Sequence, residues 1–503
     1  MPGLPQFAMG VLEFMATLFV FAVGTSLVVL LILYFYDKYQ TANSVWRNFP
    51  VVGRFRGFFE YLGEFFRQFF FAMDREELPF NRAQRQWADR ASLDRDNTGA
   101  FGSTKNLTVE GTVMFANCMF PHLDEEAMTP SPICFGPHAR RPYEASSFFN
   151  ISAMSYGSVS KPAVQALSRG AKMAGIWLNT GEGGIAPWHL EGGCDLVFQI
   201  GTAKYGVRDA AGRLSDSLLR EIGGHPNVRM IELKLSQGAK PGKGGLLPAI
   251  KVTEEVAQIR GIPVGRASIS PNRHPEINSL SDLLDMINRI RDVSGLPTGF
   301  KAVIGAYGWL DEFCQLVHER GVESAPDFIT IDSGDGGTGA APLPLMDEVG
   351  LPIRESLPRV VDKLNEYGLR PRIRVLASGK RVTPSEVAWA LCAGADAVNA
   401  ARGFMFALGC IQAMRCNKNT CPTGVTTHDK RLQRGLDPAD KSVRVANYAR
   451  NMVKEVSIIA HSCGVPEPRQ LQRYHARVVS AHGLTLGLDE LHPEVETGPE
   501  YRA

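Results

Sequence analysis

FITIDSGDGGTG, residues 328–339, joins a short β-branched apolar run to a glycine-rich polar turn. The run is typical of a strand buried on both faces of a parallel sheet. The turn is typical of the loop that follows such a strand. Similar units recur along the chain and predict eight strands, at residues 151–154, 176–179, 230–235, 266–270, 300–304, 328–332, 373–377 and 397–400.

Helical patterns separate most of these runs. Apolar residues recur at helical intervals over residues 161–174, 251–260, 281–293, 309–320, 357–367 and 384–393. Alternating strands and helices in this number predict an α/β fold, a closed (β/α)8 TIM barrel at residues 146–430. We therefore expect the functional residues at the carboxyl ends of the strands, where such barrels build their sites.

A long apolar segment lies near the N-terminus. Residues 14–36 contain no charged side chain, and as a helix they would span roughly 34 Å, enough to cross a bilayer. A cleaved signal peptide fits poorly, because no Lys or Arg precedes the segment. Lys38, Arg47, Arg54 and Arg56 follow it. This predicts a single-pass anchor at residues 1–37 in the cell inner membrane, with the catalytic domain in the cytoplasm.

Two further regions flank the predicted barrel. Residues 38–145 are expected to form an amphipathic helix and a connector or cap, and residues 431–503 a C-terminal helical extension. Within the first, residues 55–73 place phenylalanines near helical spacing with charges largely between them. That pattern fits a helix packed on the main domain and, equally, a helix lying on the membrane surface.

Composition narrows the class of protein. The net charge of +2 over 503 residues gives no electrostatic basis for binding nucleic acid. The nine cysteines are odd in number and irregular in spacing. They do not indicate a disulfide framework, and a reducing compartment fits better.

The glycine-rich turn after residue 332 contains a G-x-G-x-x-G pattern at Gly334, Gly336 and Gly339. A dinucleotide-binding fold needs a helix directly after this pattern, and the prolines at 342 and 344 disfavour one. We interpret the turn as a barrel loop facing a flavin or a substrate, with a purely structural turn as the alternative.

Two later loops fit a phosphate site. Gly379 follows the seventh predicted strand, and Ala401 and Arg402 follow the eighth. Many barrels bind phosphate at these two places through backbone N–H groups and a helix N-terminus.

Three cysteines lie close together in the sequence. Cys410, Cys416 and Cys421 form C-x5-C-x4-C, and Pro422 follows the last. Thiolates in this arrangement suit an iron–sulfur cluster. Zinc, which normally takes four ligands, and ordinary buried cysteines remain the alternatives.

Six ordered motifs resemble the FMN-binding synthase domain of glutamate synthases and the standalone proteins related to it. They cover residues 151 to about 425 and read SAMSYGSVS (152–160), NTGEGG (179–184), IELKLSQGAKPGKGGLLP (231–248), SISPNRH (268–274), DSGDGGTGAAP (332–342) and GCIQAMRCNKNTCPTGV (409–425). The resemblance implies an FMN-binding barrel in which the three cysteines hold a [3Fe-4S] cluster.

The resemblance also implies the chemistry and the site. Ferredoxin or a separate reductase would supply electrons, and 2-oxoglutarate with ammonia would be reductively aminated to glutamate. The implied catalytic residues are Glu182, Lys234, Lys240, Arg260 and Gln237. The implied cofactor-binding residues are Ala153, Met154, Ser155, Asn179, Lys301, Gly334, Asp335, Gly336, Gly337, Gly379, Ala401 and Arg402. Lys243 and Lys251 are expected to be solvated.

Two departures from the family pattern affect the expected substrate. Leu246 stands where typical members have a glutamine that helps to hold 2-oxoglutarate, so another keto acid is an alternative. No glutaminase domain with an N-terminal catalytic cysteine is evident, since the first cysteine is Cys118. Glutamine hydrolysis would then be absent or come from a partner, with free ammonia or an alkylamine as the alternative amino donors. A membrane-associated FMN and iron–sulfur electron-transfer subunit is the competing function.

Overall fold

The chain begins with a helical unit. The computed structural model describes residues 3–501 and divides into two compact units, whose boundary falls between residues 83 and 84. The first contains α1 (Gly3–Tyr39), α2 (Ser44–Asn48), α3 (Arg54–Phe66) and a π-helical turn (Arg67–Phe71). Among residues 3–501, one helical stretch, Gln6–Tyr39, is long and apolar enough to cross a bilayer, judged by length and composition alone.

The barrel fills most of the second unit. The elements that precede it are α4 (Arg82–Ser92), β1 (Val113–Phe115), β2 (Ile133–Phe135) and β3 (Tyr143–Ala145). The barrel region then contains β4 (Phe149–Ile151), α5 (Lys161–Ala174), β5 (Leu178–Asn179), α6 (Pro187–Leu190), β6 (Leu196–Ile200), α7 (Asp216–Gly224), β7 (Val228–Lys234), β8 (Leu246–Leu247), α8 (Glu254–Arg260), β9 (Ser268–Ile269), α9 (Leu280–Ser294), β10 (Thr298–Ala302), α10 (Trp309–Arg320), β11 (Phe328–Asp332), α11 (Leu343–Glu348), α12 (Ile353–Glu366), β12 (Arg374–Ser378), α13 (Pro384–Cys392), β13 (Ala397–Ala400) and α14 (Arg402–Ala407).

Eight strands close into a parallel barrel, in the order β4, β5, β6, β7, β10, β11, β12, β13 and back to β4. The predicted (β/α)8 fold is therefore confirmed. The helices predicted at residues 161–174 and 309–320 have the predicted bounds. In α5 the cause is local, because the Ser160 side chain caps the first turn and Gly175, in the left-handed conformation, ends the helix.

One barrel strand was predicted at the wrong place. Residues 266–270 were expected to be the fourth strand. Instead, β9 pairs antiparallel with β8 in a two-stranded sheet within the long loop after β7. Its alternation of a buried Ser268 and an exposed Ile269 is typical of a strand at the surface. The barrel strand that was missed is β6, whose five residues are all buried. Its apolar run is interrupted by Gln199, which obscured it.

The β2–β3 hairpin lies against the amino-terminal end of the barrel. The ring of Phe135 is 5.8 Å from that of Trp177, just before β5, and 6.0 Å from that of Phe328, the first residue of β11. These rings belong to one buried apolar cluster with the early residues of other barrel strands. The hairpin thus covers this end and leaves the carboxyl end for a site.

The C-terminal region is not only helical, contrary to the prediction for residues 431–503. It contains α15 (Lys430–Gln433), α16 (Pro438–Ser462), β14 (Ala476–Val479), β15 (Thr485–Gly487) and α17 (Leu488–Leu491). Helix α16 packs closely on α5, while β14 pairs with both β1 and β15 in a three-stranded antiparallel sheet. The strand partner β1 comes from the connector, and nothing in the local sequence announces such a distant pairing.

Candidate active site

A cleft of about 1120 Å³, its open mouth included, lies at the carboxyl end of the barrel. Its walls come from the loops after β4, β5, β7, β11, β12 and β13. The structure brings most of the predicted site residues to it. Those that line the cleft are Ala153, Met154, Ser155, Glu182, Lys234, Gln237, Lys240, Lys301, Gly337, Gly379, Ala401, Arg402 and Cys416.

Lys234 and Glu182 form the central ion pair of the cleft. Lys234 is the last residue of β7, and its Nζ is 3.0 Å from Glu182 Oε2. The same Nζ donates a hydrogen bond of 2.8 Å to Gln237 Oε1. Burial alone would raise the pKa of Glu182, but Lys234 and Lys240 hold that pKa at about 2. Glu182 is therefore a carboxylate at any physiological pH.

Lys240 is a cation of the cleft whose charge depends on pH. Burial lowers the pKa of Lys240 to about 8, repulsion from Lys234 acts in the same direction, and attraction to Glu182 opposes both. The side chain is 5% exposed. An anion that binds beside Lys240 would stabilise its charged form, because the attraction offsets the cost of burying the charge.

Lys301, on β10, lies at the floor of the cleft. Its Nζ is 3.1 Å from Asp332 Oδ2 at the end of β11. Burial would lower the pKa of Lys301, but attraction to Asp332 and Glu232 outweighs burial and raises it. Lys301 is therefore a permanently charged group that faces the cleft from the barrel interior.

Asn179 belongs to the barrel interior and lies outside the cleft wall. Its Nδ2 donates 2.9 Å to Glu232 Oε1, and its Oδ1 accepts from Gly181 N at 3.0 Å. Gln199 and Thr330 also donate to Glu232. The amide of Asn179 is thus committed to shaping the turn that carries Glu182.

Arg260 also lies outside the cleft wall. It is 5% exposed, and its guanidinium donates to Tyr156 O at 3.1 Å and to Ser268 Oγ at 3.4 Å. These contacts join the loop after β4 to the β8–β9 strand pair. In this position Arg260 adds positive charge behind Glu182, whose pKa it helps to lower.

The glycine-rich loop after β11 divides into two parts. Gly334 is packed against backbone, since a Cβ there would lie 2.5 Å from Gly350, and neither it nor Asp335 and Gly336 reaches the cleft. The segment from Gly337 to Ala340 does line it. The first part therefore matches the structural-turn alternative, and the second part forms a wall of the cleft.

Cationic side chains gather at the end of the cleft where a phosphate was predicted. Lys380 and Arg381 follow Gly379, whose φ of +97° turns the chain after β12. Arg402, after β13, donates to Thr338 O at 2.6 Å and so links two walls. Burial lowers the pKa of Arg381, which is 8% exposed. This end of the cleft suits an anionic group.

The three clustered cysteines share the loop after α14. Cys416 lines the cleft, and its Sγ is 3.9 Å from Arg402 Nη1. Burial would raise the pKa of Cys421, but hydrogen bonds with Thr423 and Thr426 lower it. Among residues 3–501 no group of three or more His, Cys, Asp or Glu side chains lies close enough together to hold a metal ion.

Lys251 was expected to be solvated, and that prediction is wrong. It is 2% exposed, and its Nζ donates to Ser158 O at 3.1 Å. Burial lowers the pKa of Lys251 to about 8, while attraction to Cys416 and Cys421 opposes the change. A cation thus lies behind the cysteine loop, and no local sequence signal distinguished this lysine from the exposed Lys243.

Other cleft residues were also missed. Gln199 was overlooked together with β6, and Arg381 and Thr426 occur next to recognised motifs without standing out. The signal for Arg381 was its place directly after the predicted phosphate loop. For Thr426 none was available, because its contact with Cys421 depends on the folded loop.

The sequence matches the conserved region in glutamate synthase over residues 122–466. The glutamate synthase large subunit-like protein YerD of Bacillus subtilis (strain 168) is 37% identical, with 91% of this chain and 94% of that protein covered. The archaeal-type glutamate synthase (NADPH) of Thermotoga maritima is 33% identical, and the match covers 69% of this chain but only 65% of that protein. Among solved structures, mandelate oxidase with (S)-4-hydroxymandelic acid gives a TM-score of 0.47 at 15% identity, covering 79% of this chain and 99% of that one.

The family assignment follows from the extent of these matches. The conserved region covers more than half of the chain, and it contains every candidate residue described above. The relative of 37% identity is covered almost over its full length. The chain belongs to the glutamate synthase family of oxidoreductases.

Proposed function

We propose that this chain is an FMN- and iron–sulfur-dependent oxidoreductase that reductively aminates 2-oxoglutarate, or a related keto acid, with ammonia. The observation that carries the proposal is the cleft itself. Lys234, Lys240 and Lys301 line it, with the carboxylates of Glu182 and Asp332 among them. Such a site attracts an anionic keto acid, and family membership supports the reaction type.

The residues of the cleft fit FMN. Lys380, Arg381 and Arg402 surround the loop at Gly379 and would hold the phosphate. Lys301, which keeps its charge, would stabilise negative charge on the flavin ring, and the segment from Ala153 to Ser155 would lie beside it. When bound, FMN supplies the hydride that reduces the substrate carbon.

The chain's own side chains have three tasks in this reaction. Lys240 and Lys234 would bind the carboxylate and keto oxygens of the acid, where their charge is worth most because both are largely buried. Gln237, held by Lys234, would orient the acid in the cleft. The ionised Glu182 would hold ammonium by charge and hydrogen bonding, since a carboxylate with a pKa near 2 stays ionised.

We further propose that Cys410, Cys416 and Cys421 hold a [3Fe-4S] cluster that receives electrons from ferredoxin or a separate reductase. The donor chemistry fits, since thiolates are the usual ligands of such clusters. The position of Cys416 in the cleft wall supports electron transfer toward the flavin. Electron paramagnetic resonance of anaerobically purified protein tests this, and iron-free protein with full flavin would contradict it.

The N-terminal helix is proposed to anchor the chain once in the cell inner membrane, with the barrel in the cytoplasm. Support comes from the length and hydropathy of Gln6–Tyr39, from Lys38 in its last turn and from Arg47, which follows it. Alkaline carbonate should leave the protein in the membrane fraction. Protease added to inverted vesicles should digest the barrel, and its protection there would contradict the orientation.

Leu246 favours a second candidate within the same chemistry. It lies in the cleft wall and is 47% exposed. An aliphatic side chain cannot donate a hydrogen bond to a second carboxylate, and an unpaired carboxylate costs binding free energy. A keto acid with an apolar tail, or an alkylamine as amino donor, therefore fits this wall as well as 2-oxoglutarate and ammonia.

One experiment separates these functions. The protein is reduced anaerobically, mixed with 2-oxoglutarate and ammonia, and flavin reoxidation is followed by absorbance while glutamate is measured. Reoxidation with stoichiometric glutamate supports the synthase. Reoxidation by a quinone, together with none by any keto acid and amine, would overturn it in favour of a membrane electron-transfer subunit.

A further inference from the structure

Helix α3 exposes an apolar face. At about 100° per residue, Phe55, Phe58, Phe59, Leu62, Phe65 and Phe66 fall within an arc of about 120°. Phe59 is 63% and Phe65 56% exposed. The π-helical turn extends this face with Phe69, Phe70 and Phe71, which are all exposed. A soluble protein rarely leaves so many adjacent aromatic rings in water.

The other side of α3 is charged and solvent-adapted. Arg56 and Glu60 lie outside the apolar arc and form an exposed i,i+4 ion pair of 2.9 Å. A helix with a broad aromatic face and a charged face of this kind partitions to the boundary between lipid headgroups and acyl chains. A charged face of this kind does not enter the hydrocarbon core.

An ion pair with a buried carboxylate fixes the start of α3 to the end of α1. Arg54 Nη2 and Nε donate to the two carboxylate oxygens of Asp37 at 2.6 and 2.9 Å. Asp37 is fully buried and also accepts from Val51 N at 2.9 Å. The guanidinium of Arg54 lies 4.4 Å from the centre of the Trp46 ring. The turn between the two helices is therefore a built corner and not a loose linker.

The corner lies at the level expected for a membrane surface. Tyr34, Tyr36 and Tyr39 occupy the last turns of α1, and Trp46 follows it. Tyrosine and tryptophan concentrate at the boundary between lipid and water. The aromatic residues thus mark the end of the proposed span at the very place where the corner begins.

We propose that α3 and its π-helical turn lie in the headgroup layer of the membrane, apolar face toward the acyl chains, and that the Asp37–Arg54 pair holds them there. The occupant of the phenylalanine face is the lipid bilayer. The inference rests on the proposed anchor, because the corner places α3 relative to α1.

The test uses the full-length protein in proteoliposomes of phosphatidylethanolamine and phosphatidylglycerol. A benzophenone amino acid replaces Phe65 on the apolar face, Glu60 on the charged face, or Leu27 within α1. After illumination, mass spectrometry identifies what each position has captured. We expect lipid adducts at positions 65 and 27 and severalfold fewer at position 60.

The outcomes separate the two proposals. Lipid adducts at position 27 without adducts at position 65 overturn this inference and leave the anchor standing. The absence of adducts at position 27 overturns the anchor and this inference with it. Capture of protein at position 65, from this chain, a second copy or a partner, overturns the lipid assignment, as do equal adducts at positions 60 and 65.

A second pair of variants tests the corner. Arg54→Gln removes both hydrogen bonds to Asp37, and we expect adducts at position 65 to fall severalfold while those at position 27 stay unchanged. The matched control is Arg56→Gln, which removes an exposed charge only two residues away. It should leave the lipid adducts at positions 65 and 27 unchanged. Unchanged adducts at position 65 in Arg54→Gln would show that the ion pair does not position α3.

Discussion

Lys240 sets the expected pH dependence of substrate binding. Its pKa of about 8 means that it is protonated below pH 8 and neutral above it. The protonated form binds a carboxylate, so affinity for the keto acid is complete below pH 8 and falls as the pH rises through it. We expect the KM for the acid to rise by up to about tenfold per pH unit above 8. Steady-state kinetics over this range measure it.

Two variants connect this profile to the residue. Lys240→Met should bind the acid weakly at every pH, with the inflection near 8 gone. Glu182→Gln removes the attraction that raises the pKa of Lys240, so the inflection should move below 8. A KM that stays constant through pH 8 in the unmodified protein would contradict the assignment.

Leu246 offers a residue-scale test of substrate choice. Leu246→Gln adds a hydrogen-bond donor to the cleft wall, and one such bond is worth about 0.5–1.5 kcal/mol. We expect the KM for 2-oxoglutarate to fall about twofold to tenfold, while that for a monocarboxylic keto acid with an aliphatic tail stays the same or rises. An equal change for both acids would show that the position does not read the substrate.

At the scale of elements, the contact between α5 and α16 depends on one glycine. A Cβ at Gly170 would lie 2.5 Å from Val445 Cγ1 and 2.7 Å from the backbone oxygen of Ser442. Overpacking of this kind costs about 1–3 kcal/mol, more than alanine gains in helix propensity. We expect Gly170→Ala to lower the apparent Tm by several degrees in a thermal melt.

The controls for that variant come from the same chain. Gly224→Ala, at the end of α7 with nothing within 4 Å, should leave the Tm unchanged or raise it. Adding Val445→Gly to Gly170→Ala should relieve the overlap with residue 445 and leave the one with the Ser442 oxygen, whereas Val445→Ala should relieve little, because it keeps the Cβ that would lie 2.6 Å away. An unchanged Tm in Gly170→Ala would mean that the two helices separate without cost.

Local pattern was sufficient for most elements and failed where burial decides. Helix α5 was placed at its true bounds because periodicity and caps coincide there, and α10 because its periodicity ends at Gly321, whose φ is +94°. Strand β6 was missed because Gln199 interrupts its apolar run, and only the closed barrel shows that this strand is buried on both faces. The two-residue β9 was taken for a barrel strand because its sequence alone does not show that it pairs with β8. The same limit applies to β14, whose partner β1 is remote in sequence.

The candidate site shows the same contrast between what the local sequence predicts and what only the packing of the fold decides. The cleft gathers Glu182, Lys234 and Lys240 as predicted, because each lies at or beyond the carboxyl end of a strand and parallel strands end at one edge. The burial of Lys251 and the position of the Asn179 side chain inside the barrel could not be predicted, since they depend on packing between segments distant in sequence. Charged residue type predicts a role only when the fold has fixed what surrounds it.

At the scale of the whole molecule, the two ends of the barrel are unlike. The β2–β3 hairpin and its aromatic cluster cover the amino-terminal end. The carboxyl end remains open and collects the cations, and the cysteine loop borders it through Cys416. Electrons delivered to that loop would therefore reach the cleft from its rim, without passing through the barrel.

This arrangement predicts how the Cys416→Ser substitution would affect electron transfer to the flavin. A serine oxygen is a poor ligand for such a cluster, so the iron content and the paramagnetic signal should be lost. The flavin site should persist, because Lys380, Arg381 and Gly379 lie on another loop. We expect reduction of the flavin by ferredoxin to fail, and reduction by dithionite, which can reach the open cleft directly, to continue.

The matched control is Cys392→Ser, a buried cysteine on α13 outside the loop. It should keep the iron and the reduction by ferredoxin, with some loss of stability because the serine hydroxyl is buried. Flavin in Cys416→Ser that ferredoxin still reduces at the original rate would contradict the route through the cysteine loop. Loss of flavin and iron together would instead mean that the loop supports the cleft wall, because Cys416 and Arg402 are in contact there.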